Sequence, residues 1–362
     1  MTYKVIQWAT GNVGRHALRG IIERPDFDLV GVFSYDPAKI GRDAGELVDR
    51  PPTGITVTND KDAIAALDAD CVSYNALGTT LDTLDPAVDD IAMLLASGKN
   101  VVTSAVDHFL YPKAKASSWD TEALLARLEE ACAGGGTSMY QAGATPGFAL
   151  DLWPITMTRI AQRIDRVTLT EIVDLSTYDS VSVLHGFMGF GRPAEPLAPF
   201  FTMMQDVENS AYYPAICMVC DALGADIDRV TFDHEFALTE VPYESASGRF
   251  EVGTVSAARA GYTAWSGERA VFELRFVWRN TDDVAPEWPT GDGRWILDVQ
   301  GEPRIQTEVQ VTTTYDSTRA TSIMTAQAPI NAIPSVCAAR PGVLTHLDLP
   351  VFGGGYTTAA GT

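Results

Sequence analysis

The chain is poor in basic residues and has no long hydrophobic run. Its 26 lysines and arginines stand against 47 aspartates and glutamates, which gives a formal net charge of -21. Nucleic acid and anionic membranes are bound through lysine and arginine, so the deficit argues against both kinds of partner. No segment approaches the ~18 apolar residues that span a bilayer, and the first residues do not resemble a signal peptide. We therefore expect a cytoplasmic protein that binds neither nucleic acid nor membrane.

Cysteine and metal-binding patterns are also scarce. The five cysteines are scattered, and only Cys217 and Cys220 form a CxxC pair, inside an apolar segment with no second pair. We interpret these two thiols as packing residues rather than as a redox or metal site. The sequence contains no HExxH, HxxxH or GxSxG pattern. The absence of these motifs from the sequence gives no reason to expect a metal centre or a serine nucleophile.

The length of 362 residues predicts two domains, because one hydrophobic core rarely extends beyond ~250–300 residues. Up to about residue 145, short apolar runs alternate with helical patterns, which predicts a doubly wound parallel sheet of the Rossmann type over residues 1–148. Within it, Asp85 and Pro86 predict the start of a helix. Later strands are longer and alternate with period two, as from Phe272 to Trp278. They predict an α+β domain over residues 149–325 with a largely antiparallel sheet. One face of this sheet is expected to be exposed to solvent or paired with a second subunit.

A phosphate-binding loop is indicated at the start of the chain, between a strand and an amphipathic helix. The sequence there reads A-x-G-x-x-G. Gly11 would let the backbone approach a pyrophosphate, Gly14 would let the helix pack on the strand, and the free N–H groups of the helix would hold the phosphates. Ala9 replaces the usual first glycine, and we expect its φ to be negative. The predicted cofactor contacts of this loop are Ala9, Thr10, Gly11, Asn12, Val13 and Gly14.

The choice between NAD and NADP is made about 20 residues beyond the glycines, where an NAD site usually carries an acidic residue. This chain has Ser34 and Tyr35 there, and Asp36 follows. Ser34, Lys39 and Arg42 lie where a 2′-phosphate would bind, which slightly favours NADP over NAD. The alternative is that Lys39 and Arg42 are solvated loop charges.

Further loops are expected to complete the cleft. Asn75, Ala76 and Leu77 follow another strand and should pass near the nicotinamide ribose, unless they form an ordinary connection. The segment from Thr145 to Phe148 begins the crossing into the second domain, where it lines the cleft or acts as a simple hinge. The aromatic, glycine-broken stretch from Tyr178 to Phe190 suits an apolar pocket wall or loop packing, with Tyr178 and His185 as its polar candidates.

Several short motifs in a fixed order resemble those of the dihydrodipicolinate-reductase-like oxidoreductases, and within them those of 2,4-diaminopentanoate dehydrogenase and the native amine dehydrogenases. After the phosphate loop, the motifs that carry the resemblance are Asn100-Val101-Val102-Thr103, Tyr111-Pro112, Gly143-Ala144-Thr145-Pro146-Gly147-Phe148, Asn331-Ala332-Ile333-Pro334 and Arg340-Pro341-Gly342. The resemblance runs over nearly the whole chain.

The resemblance implies a Rossmann domain, an α+β domain that binds substrate and forms a homodimer, and a C-terminal part, residues 326–362, that returns to the first domain as a helix and ends in a flexible tail. It implies NAD(P)-dependent interconversion of a ketone plus ammonia with an amine. The positions of its motifs add Thr103, Thr145 and Asn331 to the expected cofactor contacts and Phe148 to the expected substrate contacts. Tyr140, in a predicted strand over residues 137–141, is a further expected substrate contact.

The chain departs from this family pattern at two places. The family has its catalytic glutamate shortly before the Tyr-Pro, where this sequence has Asp107 and His108, and it has asparagine where this sequence has Thr145. A carboxylate suits a cationic iminium, so Asp107 is the predicted electrostatic or acid-base group, with His108 and Tyr178 assisting. Asp107 could instead cap a turn and His108 pack in a loop.

The sequence predicts an NAD(P)-dependent oxidoreductase that acts on a C=N or C=O bond of a small, partly apolar substrate, with reductive amination as the leading reaction. Two alternatives stay open. One is a ketone or enone reductase without amine chemistry, which the missing glutamate favours. The other is a cofactor-binding protein that has lost catalysis.

Overall fold

The computed structural model describes residues 2–78, 80–114, 120–315 and 320–355, and the chain in it divides into two compact units. The first unit comprises Met1–Phe148 and Asp316–Thr362, and the second comprises Ala149–Tyr315. The expected return to the first domain at residue 326 comes earlier, because the returning helix starts at Ala320 and lies wholly in the first unit. Among the described helices, none combines the length and apolar character of a membrane span.

The amino-terminal part of the first unit alternates strands and helices. Its elements are β1 (Tyr3–Trp8), α1 (Asn12–Glu23), β2 (Phe27–Phe33), β3 (Val57–Thr58), α2 (Lys61–Ala66), β4 (Cys71–Tyr74), α3 (Leu81–Ala96), β5 (Asn100–Thr103), α4 (Thr121–Gly135) and β6 (Ser138–Gln141). Polar residues fix several helix starts: the carboxylates of Asp60 and Asp120 accept hydrogen bonds from the N–H groups of Ala63 and Ala123 at α2 and α4.

The second unit is built from long strands and short helices. Its elements are α5 (Leu152–Thr158), β7 (Arg163–Asp174), α6 (Pro199–Gln205), α7 (Tyr213–Ala222), β8 (Arg229–Leu238), β9 (Tyr243–Ser245), β10 (Gly248–Phe250), β11 (Val255–Ser266), β12 (Arg269–Arg279), β13 (Arg294–Glu302) and β14 (Ile305–Gln310). The chain then returns to the first unit with α8 (Ala320–Cys337) and β15 (Gly342–Leu344).

The sheet of the first unit has seven strands in the order β15-β6-β5-β4-β1-β2-β3, and all neighbouring strands are parallel. Successive residues of β1 point to opposite faces, so that Val5 packs with α1 and α8 while Ile6 packs with α3 and α4. Helices therefore cover both faces, and the predicted Rossmann architecture is confirmed.

The predicted start of a helix at Asp85 is wrong. Helix α3 begins four residues earlier, at Leu81, with Thr80 as its N-cap. The backbone N–H of Thr80 donates to Oγ1 of Thr83 at 3.1 Å, which supplies a polar cap upstream of the proline. Pro86 therefore lies inside the helix, and it lines a cavity there.

The sheet of the second unit has six strands in the order β14-β13-β7-β12-β11-β8. All its neighbours are antiparallel except β7 and β12, so the predicted largely antiparallel sheet is confirmed. One face carries aromatic residues that pack under α6: Phe201 lies with its ring centroid 4.8 Å from that of Phe236. The other face carries charged residues of both signs, among them Asp233, Glu235, Arg259 and Arg275.

Candidate active site

A cavity of about 820 Å³ opens at the carboxyl ends of the strands of the first sheet. Parallel sheets bind their ligands at this edge, where the loops that follow neighbouring strands meet. The wall contains most of the residues predicted to bind a dinucleotide. These are Ala9, Thr10, Gly11, Asn12, Val13, Ser34, Lys39, Asn75, Ala76 and Leu77.

The phosphate loop fits a pyrophosphate. Gly11 is the N-cap of α1 and has no side chain that could cap the helix, and the first turn of the helix contains no acidic residue. The N–H groups of this turn therefore keep their capacity to bind an anion. A Cβ atom on Gly11 would have no neighbour within 4 Å, whereas a Cβ on Gly14 would overlap the carbonyl oxygen of Ala9. Gly11 thus leaves open space at the cavity wall, and Gly14 permits the close packing of α1 on β1.

Ala9 does not have the backbone conformation that we expected. Its φ is +69°, in the left-handed region, rather than negative. The turn between β1 and α1 requires this conformation at the first position of the fingerprint, which is why glycine is usual there. An L-residue in the left-handed region costs about 1–2 kcal/mol, so the surrounding structure must hold Ala9 in place.

The wall after β2 holds the polar groups expected at the adenosine ribose. The Ser34 hydroxyl lies 3.2 Å from the Thr10 hydroxyl. The Lys39 ammonium donates to the carbonyl oxygen of Thr10 at 2.9 Å and lies 3.6 Å from the Asp36 carboxylate. Arg42 is not in the cavity wall, because its guanidinium pairs with Glu46 at 3.7 Å on the protein surface.

An aromatic and charged cluster that the sequence analysis missed forms another part of the wall. The hydroxyl of Tyr35 accepts a hydrogen bond from the indole of Trp8 at 3.2 Å and donates to the buried carboxylate of Asp90 at 2.6 Å. Lys61 forms an ion pair with the same carboxylate. Burial and the neighbouring Asp90 raise the pKa of Tyr35 to about 12, so its hydroxyl stays protonated at neutral pH.

Hydrogen bonds link the loops at the nicotinamide side of the edge. The Asn75 amide accepts from the side chain of Gln7 at 2.9 Å and donates to the hydroxyl of Ser104 at 2.9 Å. Ser104 lies in the cavity wall beside Asn75. Thr103 is fully buried, and its hydroxyl accepts from the N–H of Ala105, so that it shapes the loop without reaching the wall.

Asp107 and His108 lie in a single 3-10 turn, Asp107–Phe109, that follows β5. The Gln141 amide donates to the Asp107 carboxylate at 2.9 Å, and its oxygen accepts from the N–H of Val106 at 3.1 Å. Gln141 itself is buried at the end of β6. The sequence analysis also missed this amide, which orients the Asp107 carboxylate. Asp107 itself follows Ala105, a residue of the cavity wall, by two positions.

Three predicted contacts in the first unit have other surroundings. The Tyr140 hydroxyl bonds the ring of His346 in the core beneath α8, because side chains on β6 alternate between faces and Gln141 takes the other face. Asn331 accepts from Arg24 at 2.6 Å, beyond the carboxyl end of α1 and so at the opposite end of that helix from Gly11. Thr145 is half-buried, and its hydroxyl has no hydrogen-bond partner among the described residues.

The remaining predicted residues are Phe148, half-buried at the end of the first unit, and two residues of the second unit. Tyr178 follows β7 and is half-buried. His185 lies in a short π-helix, Ser182–Phe187, and its Nε2 is 3.1 Å from the hydroxyl of Ser247. Burial lowers the pKa of His185, which keeps its ring neutral near pH 7.

Residues 148–358 match the family profile of the 2,4-diaminopentanoate dehydrogenase C-terminal domain. An amine dehydrogenase from Streptomyces virginiae is 31% identical over 357 residues, which cover 96% of either chain. The chain belongs to this dehydrogenase family. A 2,4-diaminopentanoate dehydrogenase from Acetoanaerobium sticklandii is 23% identical over 358 residues, 96% of this chain and 93% of the relative.

The fold has a counterpart among solved structures. The amine dehydrogenase from Mycobacterium smegmatis superposes with a TM-score of 0.72 and 19% identity, over 98% of this chain and 97% of that one. The resemblance to this oxidoreductase family that the motifs indicated is therefore confirmed, and the chain is an NAD(P)-dependent dehydrogenase. The family profile covers the second unit and most of the part of the chain that returns to the first unit.

Proposed function

We propose that the enzyme catalyses reductive amination of a small, partly apolar ketone or aldehyde, and the reverse oxidation of the amine. A carbonyl compound, ammonium and NAD(P)H give a primary amine, NAD(P)+ and water. The observation that carries the proposal is a carboxylate, Asp107, fixed by Gln141 after the carboxyl end of β5, two residues from the cavity wall. The two relatives that align with almost the whole chain are named amine dehydrogenase and 2,4-diaminopentanoate dehydrogenase. Both names support the same reaction.

The chain's own groups have separate tasks in this reaction. When bound, the nicotinamide supplies or accepts the hydride. The N–H groups after Gly11 would hold the diphosphate, and Asn75 and Ser104, which line the same cavity, would hold the nicotinamide ribose. The Asp107 carboxylate stabilises the positive charge of the iminium carbon-nitrogen group and exchanges a proton with the amine. His108 beside it assists that proton transfer.

We infer that NADPH is slightly preferred over NADH. Ser34 and Lys39 lie on the wall after β2 and offer a hydroxyl and a cation to a 2′-phosphate. The negative charge of Asp36 opposes the binding of a 2′-phosphate. Its carboxylate, however, already accepts a hydrogen bond from the N–H of Ala38 at 3.0 Å and lies near Lys39. Arg42, paired with Glu46, does not contribute.

We also propose that the enzyme is a homodimer, joined through the charged face of the second sheet. This face carries both signs, including the ion pair of Arg275 with Asp233 at 2.6 Å, and contains a cavity of about 510 Å³. A two-fold axis brings the same surface patch of two subunits into contact. A patch that carries charges of both signs can then pair its basic residues with the acidic residues of the other copy.

The test of the reaction is the rate of NAD(P)H oxidation with a panel of ketones in the presence and absence of ammonium. Reductive amination predicts oxidation that requires ammonium and forms a primary amine. Oxidation that is equally fast without ammonium would support the ketone reductase instead, an alternative that Asp107 in place of the family's glutamate keeps open.

A further inference from the structure

A buried amide lies directly beneath the phosphate loop. Gln7 is the penultimate residue of β1, and its side chain is fully buried. Its Nε2 donates to the carbonyl oxygen of Ala9 at 2.8 Å, and the carbonyl oxygen of Trp8 lies 3.2 Å from the same nitrogen. Both carbonyls belong to the chain segment that leads into the phosphate loop, so the buried amide fixes the start of the loop.

The Ala9 peptide combines an uncommon backbone conformation with close packing. Ala9 is in the left-handed region although it is not glycine, and its carbonyl oxygen packs against Gly14 of α1. Rotation of this peptide would turn the following N–H groups away from the cavity. The hydrogen bond from Gln7 therefore opposes relaxation of Ala9 to the extended conformation that an L-residue prefers.

The same amide reaches across the sheet edge. Its Nε2 also donates to Oδ1 of Asn75, which accepts a second hydrogen bond from the hydroxyl of Ser73 at 3.1 Å. Asn75 in turn donates to Ser104, so one chain of hydrogen bonds joins the ends of β1, β4 and β5. This chain runs from the diphosphate side of the cavity to its nicotinamide side.

The Gln7 amide is used through its donor side. Among the described residues, no group donates to Oε1 of Gln7, although the atom is buried. A buried acceptor without a donor destabilises a fold, so what this side chain contributes comes from the hydrogen bonds that its Nε2 donates. The donor half of the amide is thus the half that the site uses.

We propose that Gln7 is a positioning residue for the dinucleotide, which fixes Ala9 in its left-handed conformation and ties the phosphate loop to Asn75 and Ser104. The inference rests on the proposed use of this cavity for the cofactor. It explains how this chain builds the loop with alanine at the first position of the fingerprint. It also predicts that the need for Gln7 depends on which residue stands at position 9.

The test is a double-mutant cycle with Gln7→Leu, Ala9→Gly and the double variant, read as the dissociation constant of NADPH or NADH by titration calorimetry. Gln7→Leu should weaken binding about tenfold in the native background, but less than about threefold when combined with Ala9→Gly, because glycine adopts the left-handed conformation without help. Gln327→Leu removes another amide of the first unit, which donates to the carbonyl of His16 at 3.0 Å, and should leave affinity unchanged.

Equal losses in both backgrounds, or an unchanged dissociation constant for Gln7→Leu, would overturn the proposal. Gln7→Met is the second apolar variant, and a failure of both to fold would show a purely structural role and overturn it too. If the wild-type chain bound neither coenzyme, the proposed function would fail and not only the role of Gln7.

Discussion

Asp107 is the side chain on which the proposed amine chemistry depends, since it supplies a carboxylate that accepts a hydrogen bond from Gln141. Asp107→Asn keeps the size of the side chain but removes the charge that stabilises the iminium. We expect kcat for amine oxidation to fall by about 100-fold or more, with the dissociation constant of the coenzyme little changed. Stopped-flow or steady-state rates measure the first quantity and calorimetry the second.

The control for Asp107→Asn is Asp89→Asn, which removes a carboxylate on the surface of α3 that pairs with Arg127. It should leave kcat unchanged. Full turnover in Asp107→Asn would remove this residue from the mechanism and direct attention to His108.

Lys39 is the residue on which the proposed preference for NADPH depends. Its ammonium lies in the cavity wall next to Ser34, where a 2′-phosphate gains a charge-assisted hydrogen bond. Lys39→Met should lower kcat/KM for NADPH about tenfold and lower that for NADH much less. A parallel loss for both coenzymes would mean that Lys39 acts only through its hydrogen bond to Thr10.

Side chains with local signals were predictable, whereas those whose partners are distant in sequence were not. The wall residues of the phosphate loop follow from the spacing of Gly11 and Gly14 between a strand and a helix. Gln7 and Asn75 are 68 residues apart, and Tyr35 and Asp90 are 55 apart. Only the pairing of β1 with β4, and of α3 with the sheet, brings such residues together.

The phosphate loop and α1 act as one element, and their two glycines have different physical roles. Gly11→Ala places a methyl group in open space at the wall, so the fold should be retained while the diphosphate is displaced. Gly14→Ala forces α1 away from Ala9, which should lower the melting temperature by about 3 °C or more as well as weaken binding. Calorimetry and thermal melts measured on both variants separate these effects.

An equal drop in melting temperature for the two glycine variants would contradict the separate roles assigned to them. So would coenzyme affinity in Gly11→Ala that matches the native chain.

Elements were predicted best where the pattern is long and its boundaries are marked. The strands and helices of the first half follow from their apolar periodicity, but α3 starts ahead of the Asp85-Pro86 signal because Thr80 and Thr83 cap it earlier. The short strand β15, which extends the parallel sheet next to β6, was missed: its three residues, Gly342–Leu344, are too few to show a period.

The oligomeric state is a property of the whole molecule that one chain alone does not display. If the charged face of the second sheet joins two copies, reversal of its cations should separate them. We expect sedimentation to give a dimer for the native chain and a monomer for the double variant Arg259→Glu with Arg275→Glu. Reversal of the exposed Arg127 on α4 should leave the dimer intact, and a dimer that persists in the double variant would place the interface elsewhere.

The central claim is that the cavity at the carboxyl edge of the first sheet holds a nicotinamide dinucleotide on the phosphate loop. Titration calorimetry of the native chain with NADPH and NADH tests it most directly. We predict saturable heat with one coenzyme molecule per chain, and its loss in Gly11→Ala. No heat with either coenzyme from folded, native protein would contradict the account.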